Sequence, residues 1–333
     1  VAGALQIHIV EGDLVLALAG DIGEFDRAHA QMQLGQLVHA MAVGTALEHE
    51  AEQHGVVDRR HLDPVAGEDH RVILDILADL ENARVFQQRF QDFQRPGLVD
   101  LCRRLLRAAA QEVAASVARV VVLAGEGKSF CAGLDLMSFM QMGTVDPKAW
   151  LMERSHQDAN EMQEVSMAWR RLEIPVIAAL QGAVYGGGLQ LALGADIRIA
   201  APDAKLAVME MKWGIIPDMG GMVLLPKLLR SDVLRQLTYT AAPIEAEQAE
   251  RWGLVTSLSE DPLAAAQALA AEIANKGPNA IKAAKRMIDF AESGASQAEV
   301  LLRESAEQVE LIGKPEQMEV VSAQMQKRAP VFK

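Results

Sequence analysis

PVIAALQGAVYGGGLQLALGADIRIA, residues 175–200, belongs to the longest apolar run of the 333-residue chain. The run is long enough for a membrane span. Gln181, three consecutive glycines, Gln190, Asp196 and Arg198 inside it exclude that reading. It breaks instead into a buried strand at 175–180, a loop, a helix at 187–194 and a second strand ending at Ala200. Glycine ahead of a helix lets another backbone or a ligand approach closely, because no Cβ intervenes. The first N–H groups of a helix have no intrahelical partner, and the helix dipole favours negative charge there. Gly186, Gly187 and Gly188 are therefore a candidate oxyanion site, and equally a tight turn for strand–helix packing; spacing alone leaves both readings open. The spacing is not that of a GxGxxG dinucleotide fingerprint. Gln190 lies about one helical turn beyond Gly187, which brings an uncharged amide within reach of the same cavity.

Outward from this stretch the pattern continues. A β-branched run at 118–125 ends in glycine as a buried strand does, and residues 96–114 have the apolar spacing of an amphipathic helix. A loop follows from 125, then a helical stretch through Arg171. Residues 204–210 read as a further strand, followed by a turn-rich segment. Beyond Leu224 the period is helical, interrupted at 252–258. Strands alternating with helices imply an α/β layered fold with parallel pairing.

The formal net charge of −13 and pI near 5.1 argue against a nucleic-acid partner. With only Cys102 and Cys131, neither in a CxxC or metal-like spacing, a reduced cytoplasmic setting is expected, with no disulfide framework and no metal. No secretory signal pattern opens the sequence. His49, Glu50 and His54 lack the four-residue histidine spacing of a zincin helix and read as solvated surface.

Composition changes near residues 100–127: every lysine lies at Lys128 or later, the first serine is Ser116, and seven of the eight histidines lie at or before His70. This sets apart an atypical N-terminal segment, 1–95, from a core at 96–258 and a helical region at 259–333. The segment reads as an added module, or as translation from a wrong start or frame of a GC-rich gene. Within it, LQIHIVEGDLVLAL (5–18) alternates as a hairpin turning at Glu11, Gly12 and Asp13, and residues 70–94 have helical spacing.

Three ordered motifs, FCAGLDL (130–136), the opening stretch and VMEMKWGIIPDMGG (208–221), resemble the crotonase superfamily, the enoyl-CoA hydratases and isomerases. TYTAAPIEAEQAERWGLV (238–255) is similar to that family's downstream helix and turn. The likeness runs from about Arg119 to the end of the chain. It implies a spiral of ββα turns, a C-terminal helical region that builds trimers or paired trimers, and an acyl-CoA thioester substrate. Coenzyme A is then part of the substrate and no separate cofactor is expected. The short arginine-proline segment that contributes to CoA binding in the family is not found before Ala118.

Such an enzyme stabilises a thioester enolate with two aimed N–H donors, each worth on the order of 3 kcal/mol. By position, the resemblance implies the backbone N–H groups of Leu134 and Gly187 as donors. It implies substrate or CoA contacts along Cys131, Ala132, Gly133, Asp135 and Gly186. Asp135 reads as a helix cap rather than a reacting group, and Cys131 as a small packed residue rather than a nucleophile. The implied catalytic set is Glu210, Asp218 and Gln190. Hydratases of the family carry two glutamates, at the positions held here by Gln190 and Glu210. Dienoyl-CoA isomerases place an additional carboxylate where Asp218 stands, though they too have an acid in place of Gln190. With one acid missing, the expectation is an acyl-CoA double-bond isomerase using Glu210 as proton shuttle. The alternatives are a weak hydratase, a thioesterase-like relative, or a scaffold that has lost its chemistry.

Overall fold

A computed structural model describes residues 5–10, 15–18, 98–133 and 146–332. The helical spacing at 70–94, the His49–His54 group, the hairpin turn at 11–13, Leu134 and Asp135 lie outside the described residues. In chain order the elements are β1 (Leu5–Val10), β2 (Val15–Leu18), α1 (Leu98–Ala115), β3 (Val120–Gly125), α2 (Lys148–Leu151), α3 (Glu161–Arg170) and β4 (Val176–Leu180). The opening stretch continues as β5 (Ala183–Tyr185), α4 (Gly187–Leu193) and β6 (Ile197–Ala200). After β7 (Lys205–Ala207) comes a single 3₁₀ turn, Glu210–Trp213, then α5 (Gly221–Leu228), α6 (Ser231–Thr240), β8 (Ile244–Glu245), α7 (Ala246–Trp252) and β9 (Ser257–Leu258). Four helices close the chain: α8 (Pro262–Ala274), α9 (Pro278–Ala291), α10 (Gln297–Val309) and α11 (Pro315–Gln326).

The main sheet has the order β2-β1-β3-β4-β6-β9. Strands β3, β4, β6 and β9 are parallel, and the antiparallel pair β1/β2 extends the sheet by pairing β1 with β3. The alternation read at 5–18 thus corresponds to two strands of the same sheet as the core. A second, three-stranded sheet has the order β5-β7-β8, with β5 parallel to β7 and β8 antiparallel to it.

Strands β3 and β4 are buried on both faces, which is why they read as unbroken apolar runs instead of alternating ones. Val121, Leu123, Val176, Ala178 and Leu180 pack into the larger core with Phe130, Trp169 and the α4 leucines. Val120, Val122, Ala124, Ile177 and Ala179 face the other way, onto the alanines Ala266 and Ala270 of α8. Small residues on that helix let it lie close over the sheet.

Helix α9 is fastened to the core by charge. Asp196 accepts from Lys285 Nζ at 2.8 Å, from Arg170 at 3.1 Å and from the Val176 N–H at 2.8 Å. Lys285 also donates to the Ile174 carbonyl at 2.9 Å. Burial lowers the Lys285 pKa, and Asp196 beside it pulls the other way. Among the described residues no helix is long and apolar enough to cross a membrane.

The expected strand at 204–210 is shorter in the structure. β7 stops at Ala207, Met209 takes a helical conformation (φ −90°, ψ −9°), and Glu210 begins the 3₁₀ turn. The alternating apolar residues through Met211 conceal this turn in the sequence.

Candidate functional site

Three segments meet at the start of α4. Residues 130–131 run beside β5: the Phe130 and Cys131 N–H groups donate to the Gln181 and Ala183 carbonyls at 2.8 and 3.1 Å, and the Tyr185 N–H returns a bond to the Cys131 carbonyl at 3.0 Å. Gly133 has φ +90°, and a Cβ there would sit 2.7 Å from the Tyr185 carbonyl oxygen and 3.6 Å from the Gly187 nitrogen. Only glycine combines that backbone with that approach. Gly186 caps α4 with φ 52° and ψ −121°, another conformation that side chains oppose. Its N–H is held by the Ala207 carbonyl at 3.0 Å, while Gly187, at the first helical position, presents an N–H with no intrahelical acceptor. The sequence pairing of Gly133 with Gly187 is therefore spatial as well. Ala132, next to Gly133, is exposed.

Burial pushes the Cys131 thiol above its ordinary pKa, against a backbone hydrogen bond from Gly133. A thiol so raised is a poor nucleophile at neutral pH.

The third segment brings Glu210, buried at 6% exposure, beneath Gly186. A Cβ on Gly186 would lie 3.6 Å from Glu210 Oε1. That oxygen accepts from Gln190 Nε2 at 2.6 Å. The other oxygen, Oε2, is buried and has no hydrogen-bond partner among the described residues. Burial is the main cause of a raised Glu210 pKa, with the charge of Asp218 adding to it; the Gln190 hydrogen bond and backbone N–H groups act in the opposite direction. A desolvated carboxylate with one uncommitted oxygen has the makings of a general base. Asp218 is half-buried, within electrostatic reach of Glu210.

Gln190, 2% exposed, has every strong contact of its amide inside the protein. Besides donating to Glu210, its Oε1 accepts from the Met219 N–H at 2.8 Å and the Gly221 N–H at 3.0 Å. A Cβ on Gly221 would approach that oxygen to 2.8 Å, so the turn closes directly onto the amide. Sequence spacing brought Gln190 to the cavity but could not show that its oxygen is occupied by the turn. Met219 was not singled out by its sequence position. Its thioether lies against Gly187, and the only sequence signal is its place immediately before Gly220 and Gly221.

The parallel sheet, the glycine-led helix and the helical C-terminal region define a crotonase-type α/β protein. The family described as enoyl-CoA hydratase/isomerase matches residues 93–333, and the chain belongs to that family as one of its enzymes. It is 33% identical over 217 residues, 64% of this chain and 76% of the relative, to an enoyl-CoA isomerase/hydratase, fer4, of Mycosarcoma maydis. It is 32% identical over 218 residues to a probable enoyl-CoA hydratase of Bacillus subtilis (strain 168), covering 65% of this chain and 81% of the relative. Among solved structures, an enoyl-CoA hydratase of Bacillus anthracis matches with a TM-score of 0.63 and 31% identity, covering 69% of this chain and 88% of that one. DspI of Pseudomonas aeruginosa matches with a TM-score of 0.61 and 31% identity, covering 68% and 85%.

Proposed function

We propose that the chain is an acyl-CoA double-bond isomerase acting through a thioester enolate. The observation that carries this reading is the division of labour on Glu210: Oε1 is held by Gln190, and Oε2 is buried without a partner among the described residues. With Gln190 Oε1 bonded to two backbone N–H groups, the amide has little capacity left to hold a reacting water.

In the proposed reaction Glu210 Oε2 takes a proton from C2 of a 3-enoyl thioester. The C–H electron pair moves into the C1–C2 bond and the carbonyl π pair moves onto oxygen, giving a dienolate whose oxygen is held by the N–H groups of Gly187 and Leu134. The same carboxyl returns the proton at C4, the enolate collapses, and the double bond has moved from C3–C4 to C2–C3. Water does not enter the balance. Gln190 acts here as a positioning residue, and Asp218 raises the basicity of Glu210 by its charge. The cytoplasmic setting and the homotrimer or dimer of trimers expected from the sequence belong to the same proposal.

Purified protein with a 3-enoyl-CoA is expected to give the 2-enoyl isomer, and Glu210→Gln to lose that turnover while still binding the thioester. Unchanged turnover in Glu210→Gln overturns the reading. The hydratase alternative draws on Asp218 as a second carboxylate near Glu210 and on the name of the Bacillus subtilis relative. A 3-hydroxyacyl product from a 2-enoyl-CoA, formed as fast as any isomer, favours it.

A further inference from the structure

We infer that Met219 sets the selectivity of the acyl site, excluding chains branched at the α-carbon; this rests on Gly187 serving as the oxyanion donor. Met219 is half-buried and packs against the larger core. A Cβ on Gly187 would meet its sulfur at 3.0 Å and its terminal methyl at 3.7 Å. The sulfur therefore lies within roughly 5.5 Å of the Gly187 nitrogen. A carbonyl oxygen accepting from that N–H sits about 2.9 Å from the nitrogen. With the acyl chain running along the face of Gly187 that Met219 covers, the thioester carbon and the α-carbon attached to it meet the Met219 sulfur and methyl.

The backbone cannot carry this side chain away. The Met219 N–H is bonded to Gln190 Oε1, and the next two residues close the turn onto the same oxygen. A polarisable, unbranched thioether suits the flat, trigonal α-carbon of an enolate. A methyl group on that carbon competes with the sulfur for one volume, and one methyl in an apolar pocket is worth about tenfold or more in discrimination.

Butyryl-CoA and 2-methylbutyryl-CoA differ by this branch alone and have no double bond to shift, so their binding can be read by calorimetry apart from turnover. The wild-type chain is expected to bind butyryl-CoA at least about tenfold more tightly. Met219→Ala is expected to narrow the gap to about threefold or less, and Met219→Leu, which keeps the bulk, to preserve it. Thermal unfolding of each variant confirms that it is folded. A gap absent in the wild type, or surviving in folded Met219→Ala, overturns the inference. If the gap behaves as expected but no double-bond shift is found with a 3-enoyl-CoA, the isomerase reading falls and the role of Met219 stands.

Discussion

Replacing Gln190 by Met and by Glu separates two things its amide does. Met keeps the length and apolar stem but removes the acceptor shared by the Met219 and Gly221 N–H groups, and the donor to Glu210. A buried N–H left without a partner costs about 1–3 kcal/mol. Gly221 is buried and Met219 half-buried, so the loss for Gln190→Met comes to about 2–4 kcal/mol. Glu keeps the acceptor, and an ionised one bonds N–H groups more strongly. It removes the donor and sets a second carboxylate where 2.6 Å now separates Gln190 from Glu210. Two carboxyls that close share a proton, and the pair titrates as a unit.

The variants should therefore differ with pH. In urea unfolding, with the m-value unchanged, Gln190→Met is expected to lose stability at every pH tested. Gln190→Glu should be close to wild type near pH 5, where the pair holds its proton, and weaker near pH 8, where the second charge has to form. In both variants the rising limb of kcat/KM should move to higher pH, because the hydrogen bond that lowers the Glu210 pKa is gone. Equal stability losses in the two variants near pH 5, or a loss below about 1 kcal/mol in Gln190→Met, would refute this account of the amide.

The folded carboxyl of Glu210 keeps its proton to higher pH than an unfolded one, so folding binds protons above the ordinary value of 4.5, and stability falls as pH rises from there toward the folded pKa. Glu210→Gln should consequently gain stability relative to wild type at pH 7 and lose that advantage near pH 4; urea midpoints at the two values check it, and a pH-independent difference contradicts it. Asp196→Ala leaves the buried Lys285 without its counter-ion and should cost about 3 kcal/mol, little altered by salt; a loss erased by about 0.5 M salt, a screening length of about 4 Å, would mean the pair is effectively a surface one. Gly188→Ala puts a Cβ 2.3 Å from the Cys131 carbonyl oxygen, where only backbone can yield. It should cost about 1–3 kcal/mol and, by shifting the segment that ends at Gly133, lower kcat about a hundredfold; wild-type unfolding and turnover would refute that packing argument.

The elements legible in the sequence are those whose cause is local. The β-branched run at 120–125 and the apolar 176–180 announce doubly buried strands, and the glycines at 186–188 announce the start of α4. The alternation at 5–18 is likewise local, and both strands stand in the sheet. What stayed hidden depends on partners far along the chain. Gln190 meets Glu210, Met219 and Gly221 across 20 to 31 residues, so no window around Gln190 contains its bonds. Glu210 reads as the end of a strand because Val208, Met209 and Met211 continue the apolar run, whereas the chain has already turned at Met209.

The choice of an amide at residue 190 has a consequence that an acid there would not. A carboxyl can donate to Glu210 only while protonated, so its hydrogen bond would come and go with pH and with each turnover. An amide donates at every pH. In the proposed isomerisation Glu210 Oε1 is thus occupied throughout, and Oε2 is the atom left to carry one proton between two carbons of the substrate. The same amide fixes the turn that carries Met219, and so ties the base, the turn and the wall beside Gly187 to one side chain. Changes of selectivity at residue 219 should then leave the pH limb of turnover in place, while changes at residue 190 move it.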